Sequence, residues 1–157
     1  MNSRRSAVAT RDEADDLHLT VAQRVRSRGL RYTGARRRVV EVLAASDRPL
    51  TIPEILDRDD TLAQSSAYRN LTELISVGVV HRIVSGDEFA HFELAEDLTT
   101  HHHHLVCTGC GLVSDFTVDD ELEAALDAAL DAAARRQGFT PEHHRLDLTG
   151  RCATCAA

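Results

Sequence analysis

The chain is 157 residues long, with a formal net charge of −7, few aromatic residues, no Trp and four Cys. No apolar run reaches the roughly 20 residues of a membrane-spanning helix and no secretory leader is legible, so a cytoplasmic protein with no membrane partner is expected. The charge is unevenly spread: residues 1–84 hold 14 Arg against 11 acids, residues 85–157 hold 4 Arg against 14, and Lys is absent. That asymmetry reads as a basic half suited to phosphate joined to an acidic half with another task.

In chain order, residues 1–16 are polar and without period, and are expected to form a mobile arm. Val21 and Val25 predict a short amphipathic helix over 20–28, ended by Gly29. Thr33 is placed to cap a second helix, which turns Val39, Val40, Val42 and Leu43 inward and carries Arg36, Arg37 and Arg38 in its first turns. After Pro49, the run Thr51, Pro53, Glu54 has the signature of a helix start, so a brief helix is predicted over 53–58. A fourth helix begins at Ser65, points Leu71, Leu74 and Ile75 inward and stops at Gly78. Two strands follow, 79–84 and 88–94, joined by the turn residues Ser85, Gly86 and Asp87.

Helices closed by a two-stranded hairpin follow the order of a winged helix-turn-helix, here over residues 17–94. The fourth helix is then the recognition helix, presenting Ser65, Ser66, Tyr68 and Arg69 to a major groove. Arg36 and Arg37 are candidate phosphate contacts, and core packing of Tyr68 is the alternative to its exposure. The polar residues 95–100 read as a hinge. Beyond them the pattern predicts strands at 102–106 and 112–116, an Ala/Leu helix over 118–137 closed by Gly138, and a last strand at 144–148. The fold class is α+β, with a small α/β unit over 101–157 whose helix suits packing or dimerisation.

The chemistry concentrates in this second unit. Cys107 and Cys110 form one Cys-x-x-Cys pair and Cys152 and Cys155 another, enough for a closed tetrahedral Zn²⁺ site that ties the C-terminus to mid-chain. Two disulfides or a redox pair are the alternatives, but no oxidising compartment is indicated and a redox motif would not need doubling. Four histidines, His101 to His104, precede the first pair. In an extended strand successive side chains alternate, so His101 and His103 share one face and His102 and His104 the other. One strand can therefore feed two sites with imidazole, a ligand for Zn, Fe, Ni or Cu rather than Ca or Mg. An expression tag or an idle loop is the bland alternative.

Residues 18–157 resemble the ferric uptake regulator superfamily of metal-sensing transcription factors. The resemblance is carried by Ser66, Tyr68, Arg69 and Leu71, by the histidine run with Cys107, Cys110 and Gly111, and by Phe139, His144, Cys152 and Cys155. It implies a dimeric repressor that binds double-stranded operator DNA when its sensing site is loaded, with no small organic substrate and no catalysis. By the same resemblance Cys107, Cys110, Cys152 and Cys155 hold structural zinc. His102, His104 and Glu93 form a regulatory site, with His81 contributed by the DNA-binding half as in zinc-sensing members. His101, His103, Glu123 and His144 form a second site in the dimerisation unit, where His143 competes for the last place.

Pro49 stands where iron and peroxide sensors usually carry His, and no Cys is spare for the hinge strand, where zinc sensors often use one; His91 and Glu93 share a face of that strand, so either or both could fill the gap. The lost His argues against the iron type and His81 argues for zinc, while nickel and iron stay open because an all-N/O site is not strongly selective. A zinc hydrolase using Glu93 or Glu123 as base is the rival from another class, and a metal-buffering protein is a third. The hydrolase lacks a His-Glu-x-x-His motif, and neither rival explains the basic helix-turn-helix. No role is assigned to His18.

Overall fold

The computed structural model describes residues 11–84 and 90–157; the expected turn at 85–87, the first residues of the strand expected from 88, and the arm up to residue 10 lie outside the described residues. The first helix, α1 (Arg11–Ser27), starts well before the expected position and absorbs residues 11–16 of the predicted arm. Two local reasons explain the correction. Asp12 and Glu13 sit in its first turn, where carboxylates favour the helix dipole, and Leu17 adds an i−4 neighbour to Val21 and Val25 on the core face.

Helix α2 (Gly34–Ala44) is capped by Thr33, whose hydroxyl accepts from the Arg36 N–H, and buries Val39, Val40 and Leu43. An unforeseen two-residue strand, β1 (Leu50–Thr51), follows Pro49. Thr51 also caps α3 (Ile52–Arg58) in a reciprocal box, the Thr51 N–H donating to Glu54 at 2.8 Å and the Glu54 N–H to Thr51 at 3.4 Å. Helix α4 (Gln64–Ser76) buries Ala67, Leu71 and Leu74. The chain leaves it through Gly78 at φ 71°, a left-handed position that a side chain would strain. Strands β2 (Val80–Val84) and β3 (Ala90–Leu94) pair antiparallel, and β1 adds to the far edge of β3, giving the order β1-β3-β2.

The segment expected as a hinge, 95–100, is partly ordered against the first half. Ala95 is buried and its N–H donates to Val79 O at 2.9 Å. A single 3-10 turn, Glu96–Leu98, then packs Leu98 on the first core, and Asp97 pairs with Arg24 of α1. Exposed Thr99 and Thr100 complete the connection.

A second sheet has the order β5-β4-β6, from β4 (His103–Cys107), β5 (Val113–Phe116) and β6 (Asp147–Gly150). Strand β4 runs antiparallel to β5 and parallel to β6, so the C-terminal segment lies directly beside the histidine strand. Between β5 and β6 stands α5 (Asp120–Arg136), capped by Asp119, in which no residue is buried. A last turn, α6 (Ala153–Ala156), was not expected; it forms because Cys152 O accepts from the N–H groups of Cys155 and Ala156. The last strand lies a few residues later than predicted, since its position follows from pairing with β4 rather than from its own pattern.

Candidate metal centres and nucleic-acid face

The parallel pairing of β4 and β6 brings Cys107 opposite Gly150 and delivers the second Cys pair to the first. All four thiols offer Sγ atoms within 4.8 Å of one another. None is in a disulfide, and Cys110 and Cys152 Sγ lie 3.8 Å apart, well beyond an S–S bond. Backbone N–H groups of Cys152, Cys110 and Gly109 pull the Cys107 thiol down to about 6, toward the thiolate that binds metal. Hydrogen bonds from its sulfur neighbours push Cys155 up to about 12, so in the free site one thiol gives up its proton early and another keeps it. Gly109 is needed here because a Cβ would come within 2.9 Å of Cys155 Cβ. The thiol set and this tight turn fit a closed zinc site.

The alternation of the histidines is visible one layer away. His102 and His104 face Glu93 of β3, with Nε2 atoms 3.1 and 3.0 Å from the same Glu93 oxygen, and Asp115 of β5 completes the group. Burial would raise the Glu93 carboxyl, but hydrogen bonds from both imidazoles outweigh it and hold it down at about 2. The bond to Glu93 lifts His102 to about 9 against its desolvation. The two Nε2 atoms and the Glu93 carboxylate are thus the groups that would hold a cation. The Nδ1 atoms are engaged elsewhere, His102 with Thr100 O at 2.8 Å and His104 with Asp147 at 3.0 Å, so Nε2 is the atom each offers.

His101, His103, Glu123 of α5 and His144 form the third group. His103 Nε2 lies 2.9 Å from one Glu123 oxygen, and His101 and His144 Nε2 lie 3.0 and 3.2 Å from the other. Buried Glu123 Oε1 and His144 Nε2 make no hydrogen bond despite this approach, the arrangement of inward-pointing lone-pair atoms that a cation would satisfy. Both imidazole groups therefore fit a divalent transition ion.

Two candidates stand outside these groups. His81 lies directly across the β2–β3 pair from Glu93 and lines the same small cavity as His102, His104 and Arg145, but is not among the four mutually close ligands. Burial, with the Arg145 guanidinium nearby, lowers its pKa and so favours the neutral imidazole. His91 is buried two residues along β3 from Glu93, about 6.6 Å on the strand rise, and faces Thr51 of β1 in register.

On the first half, Ser65, Tyr68 and Arg69 are exposed along α4, Tyr68 by 54%, which rules out core packing for that ring. Ser66 is half-buried and accepts from Asn70 at 3.3 Å. Arg37 is exposed beside Glu41. Arg36 is a correction: it is 8% exposed, pairs with Glu73 of α4 and donates to Arg31 O, so it joins α2 to α4 instead of reaching phosphate.

A sequence model described as the ferric uptake regulator family matches residues 27–149. The chain belongs to the ferric uptake regulator family. The peroxide-responsive repressor PerR of Staphylococcus saprophyticus is 30% identical over 136 residues, spanning 83% of this chain and 86% of that protein. The ferric uptake regulation protein of Cupriavidus metallidurans is 31% identical over 129 residues, spanning 79% and 85%. The fold matches that of the ferric uptake regulator of Helicobacter pylori with a TM-score of 0.69 at 22% identity, over 92% of this chain and 94% of that one. This ferric uptake regulator family member is thus a metal-responsive transcriptional regulator.

Sequence reasoning missed Asp115 and the acceptors Glu96, Asp127 and Asp147. Asp115 had a signal in principle, since an antiparallel strand returning from the Cys turn must set some residue opposite His104, and the register selects Asp115. Of His143 and His144, His144 is the one that lies in the third group.

Proposed function

We propose that the protein is a homodimeric, operator-binding repressor whose DNA affinity is set by zinc at Glu93, His102, His104 and Asp115. The observation that carries this reading is the meeting of Glu93, on the third strand of the helical half, with two histidines on the sheet of the other half. A divalent ion held there supplies the positive charge that two converging carboxylates lack. Glu93 then stays on His102 and His104, and β3 keeps one orientation relative to β4.

In a dimer that orientation sets the separation of the two α4 helices, which must match whole turns of DNA for both to enter major grooves. Ser65, Ser66, Tyr68 and Arg69 supply the contacts, and Arg37 adds salt-sensitive attraction to phosphate. Moving such an equilibrium from 1:99 to 99:1 requires about 5.5 kcal/mol of differential binding, within reach of ligands that converge in one arrangement alone. Dimerisation is supported by α5, whose Leu122 and Leu130 are exposed, by exposed Leu105 and Leu148 on the second sheet, and by exposed Leu112 just before β5.

His81, which lines the same cavity, supports zinc as a further imidazole. The two carboxylates support a second reading, iron or another ion that accepts oxygen readily. The hydrolase reading is weakened because Glu93 and Glu123 sit among the ligands of their groups, where neither is left over to act as a base. Gel retardation of operator DNA with free Zn²⁺, Fe²⁺, Ni²⁺ and Mn²⁺ each buffered tests the proposal. Retardation at the lowest free concentration with Zn²⁺ is expected; retardation indifferent to metal would overturn it.

A further inference from the structure

We propose that Glu96 couples the two imidazole groups, acting as the positioning residue through which filling one strengthens the other. The inference rests on both groups holding metal. An imidazole that gives Nε2 to a cation carries its proton on Nδ1, and an acceptor for that proton fixes both tautomer and ring. His102, His104 and His144 follow this pattern, with Nδ1 against Thr100 O, Asp147 and Asp127 respectively. His101 follows it too: its Nε2 lies 3.0 Å from Glu123, and its Nδ1 pairs with Glu96.

Glu96 differs from the other carboxylate acceptors in where it sits. Asp127 lies on α5, exposed, and touches the His101 group through His144. Glu96 opens the 3-10 turn between the halves, three residues after Glu93, and lines the cavity formed by His81, Glu93, His102 and His104. One carboxylate therefore holds a ligand of one group and borders the other. When His101 is fixed by its own group, Glu96 and the turn are fixed with it. The end of β3 that carries Glu93 then needs less ordering to take its place among the regulatory ligands. A site that pays ordering entropy once gives positive coupling, and the coupling is reciprocal.

The test uses the full chain carrying one Zn²⁺ on its four cysteines, titrated with Co²⁺ against a competing chelator. Visible absorption of the bound ion is fitted as two linked steps, and His144→Ala, which removes a half-buried ligand, identifies the step belonging to the His101 group. In the wild type, filling the His101 group should tighten the regulatory step about 5-fold or more, the usual lower range of coupling between sites. Glu96→Gln should weaken the His101 group by about 10- to 100-fold and abolish the linkage. Asp127→Asn should weaken the same group comparably yet preserve the linkage, an outcome that a purely local role for Glu96 does not produce. Linkage surviving in Glu96→Gln, missing in the wild type or lost in Asp127→Asn overturns the coupling and leaves the metal sites standing. A wild-type chain that takes up no Co²⁺ beyond its zinc overturns the metal reading and this inference together.

Discussion

The core of the helical half runs from Val21 through Leu74 to Phe92 and Leu94, drawing on four helices and a sheet, whereas the second core is Ile83, Val106 and Val113, the first of which comes from β2. Burying one Leu or Val side chain contributes about 1.5–3 kcal/mol, so the helical half has ample apolar stabilisation of its own. The second half has little, and α5 buries nothing. Its polar groups converge instead: four thiols, five imidazoles and three carboxylates in the three ligand groups, counting Glu93 from β3. A half organised by ligands responds to metal, and a half organised by apolar packing presents its helix face unchanged. The difference suits a sensor, since the part that must vary is the part without a large core.

The largest expected effect falls on the weaker core. Cys152→Ser should release the zinc and lose amide protection in β4, β5 and β6 while α1 to α4 stay protected, because a structural zinc site contributes about 10–16 kcal/mol of apparent binding energy. Hydrogen exchange followed by mass spectrometry reads both halves at once; equal protection in variant and wild type would break the comparison.

The reverse experiment is Leu74→Ala. A cavity at this fully buried position should cost about 2–5 kcal/mol in chemical denaturation of the helical half and leave the metal content unchanged. Loss of zinc together with stability would mean that the halves are not separately organised.

The pH dependence follows from the regulatory ligands. His102 titrates near 9, so below that value an entering ion must displace its proton, while Glu93, held near 2, stays ionised throughout. Against the desolvation of its ring, hydrogen bonds to Glu93 and Asp147 raise His104 as well, so Co²⁺ affinity of this group should fall by about ten- to a hundredfold per unit as pH drops from 8 to 6, for one or two protons displaced. A flat profile in buffered titrations would show that His102 is not a ligand.

Tyr68→Ala and Arg69→Ala should each weaken operator binding by about 1–3 kcal/mol in gel retardation, without changing metal content or dimerisation. The smallest effect is expected from Thr51→Ala. Removing this cap should lower thermal stability by about 1 kcal/mol and leave both DNA and metal binding intact.

Local features were legible without coordinates wherever the responsible partners are near in sequence. Thr33 and Thr51 cap helices three residues away, Gly78 closes α4, and the alternation of a strand sorts His101 and His103 from His102 and His104. The four-thiol site was readable because two Cys-x-x-Cys turns each bring both ligands together locally. Other features depended on register and packing between distant segments. Asp115 reaches His104 through the β4–β5 register, and Asp147 through the parallel pairing of β4 with β6, 43 residues away. Arg36 left the DNA face because α4 placed Glu73 against it, and His81 lines the regulatory cavity because the β2–β3 register sets it directly opposite Glu93. Spacing along the chain determines which face a side chain takes; the strand or helix laid against that face decides what the side chain meets, and no local pattern encodes that choice.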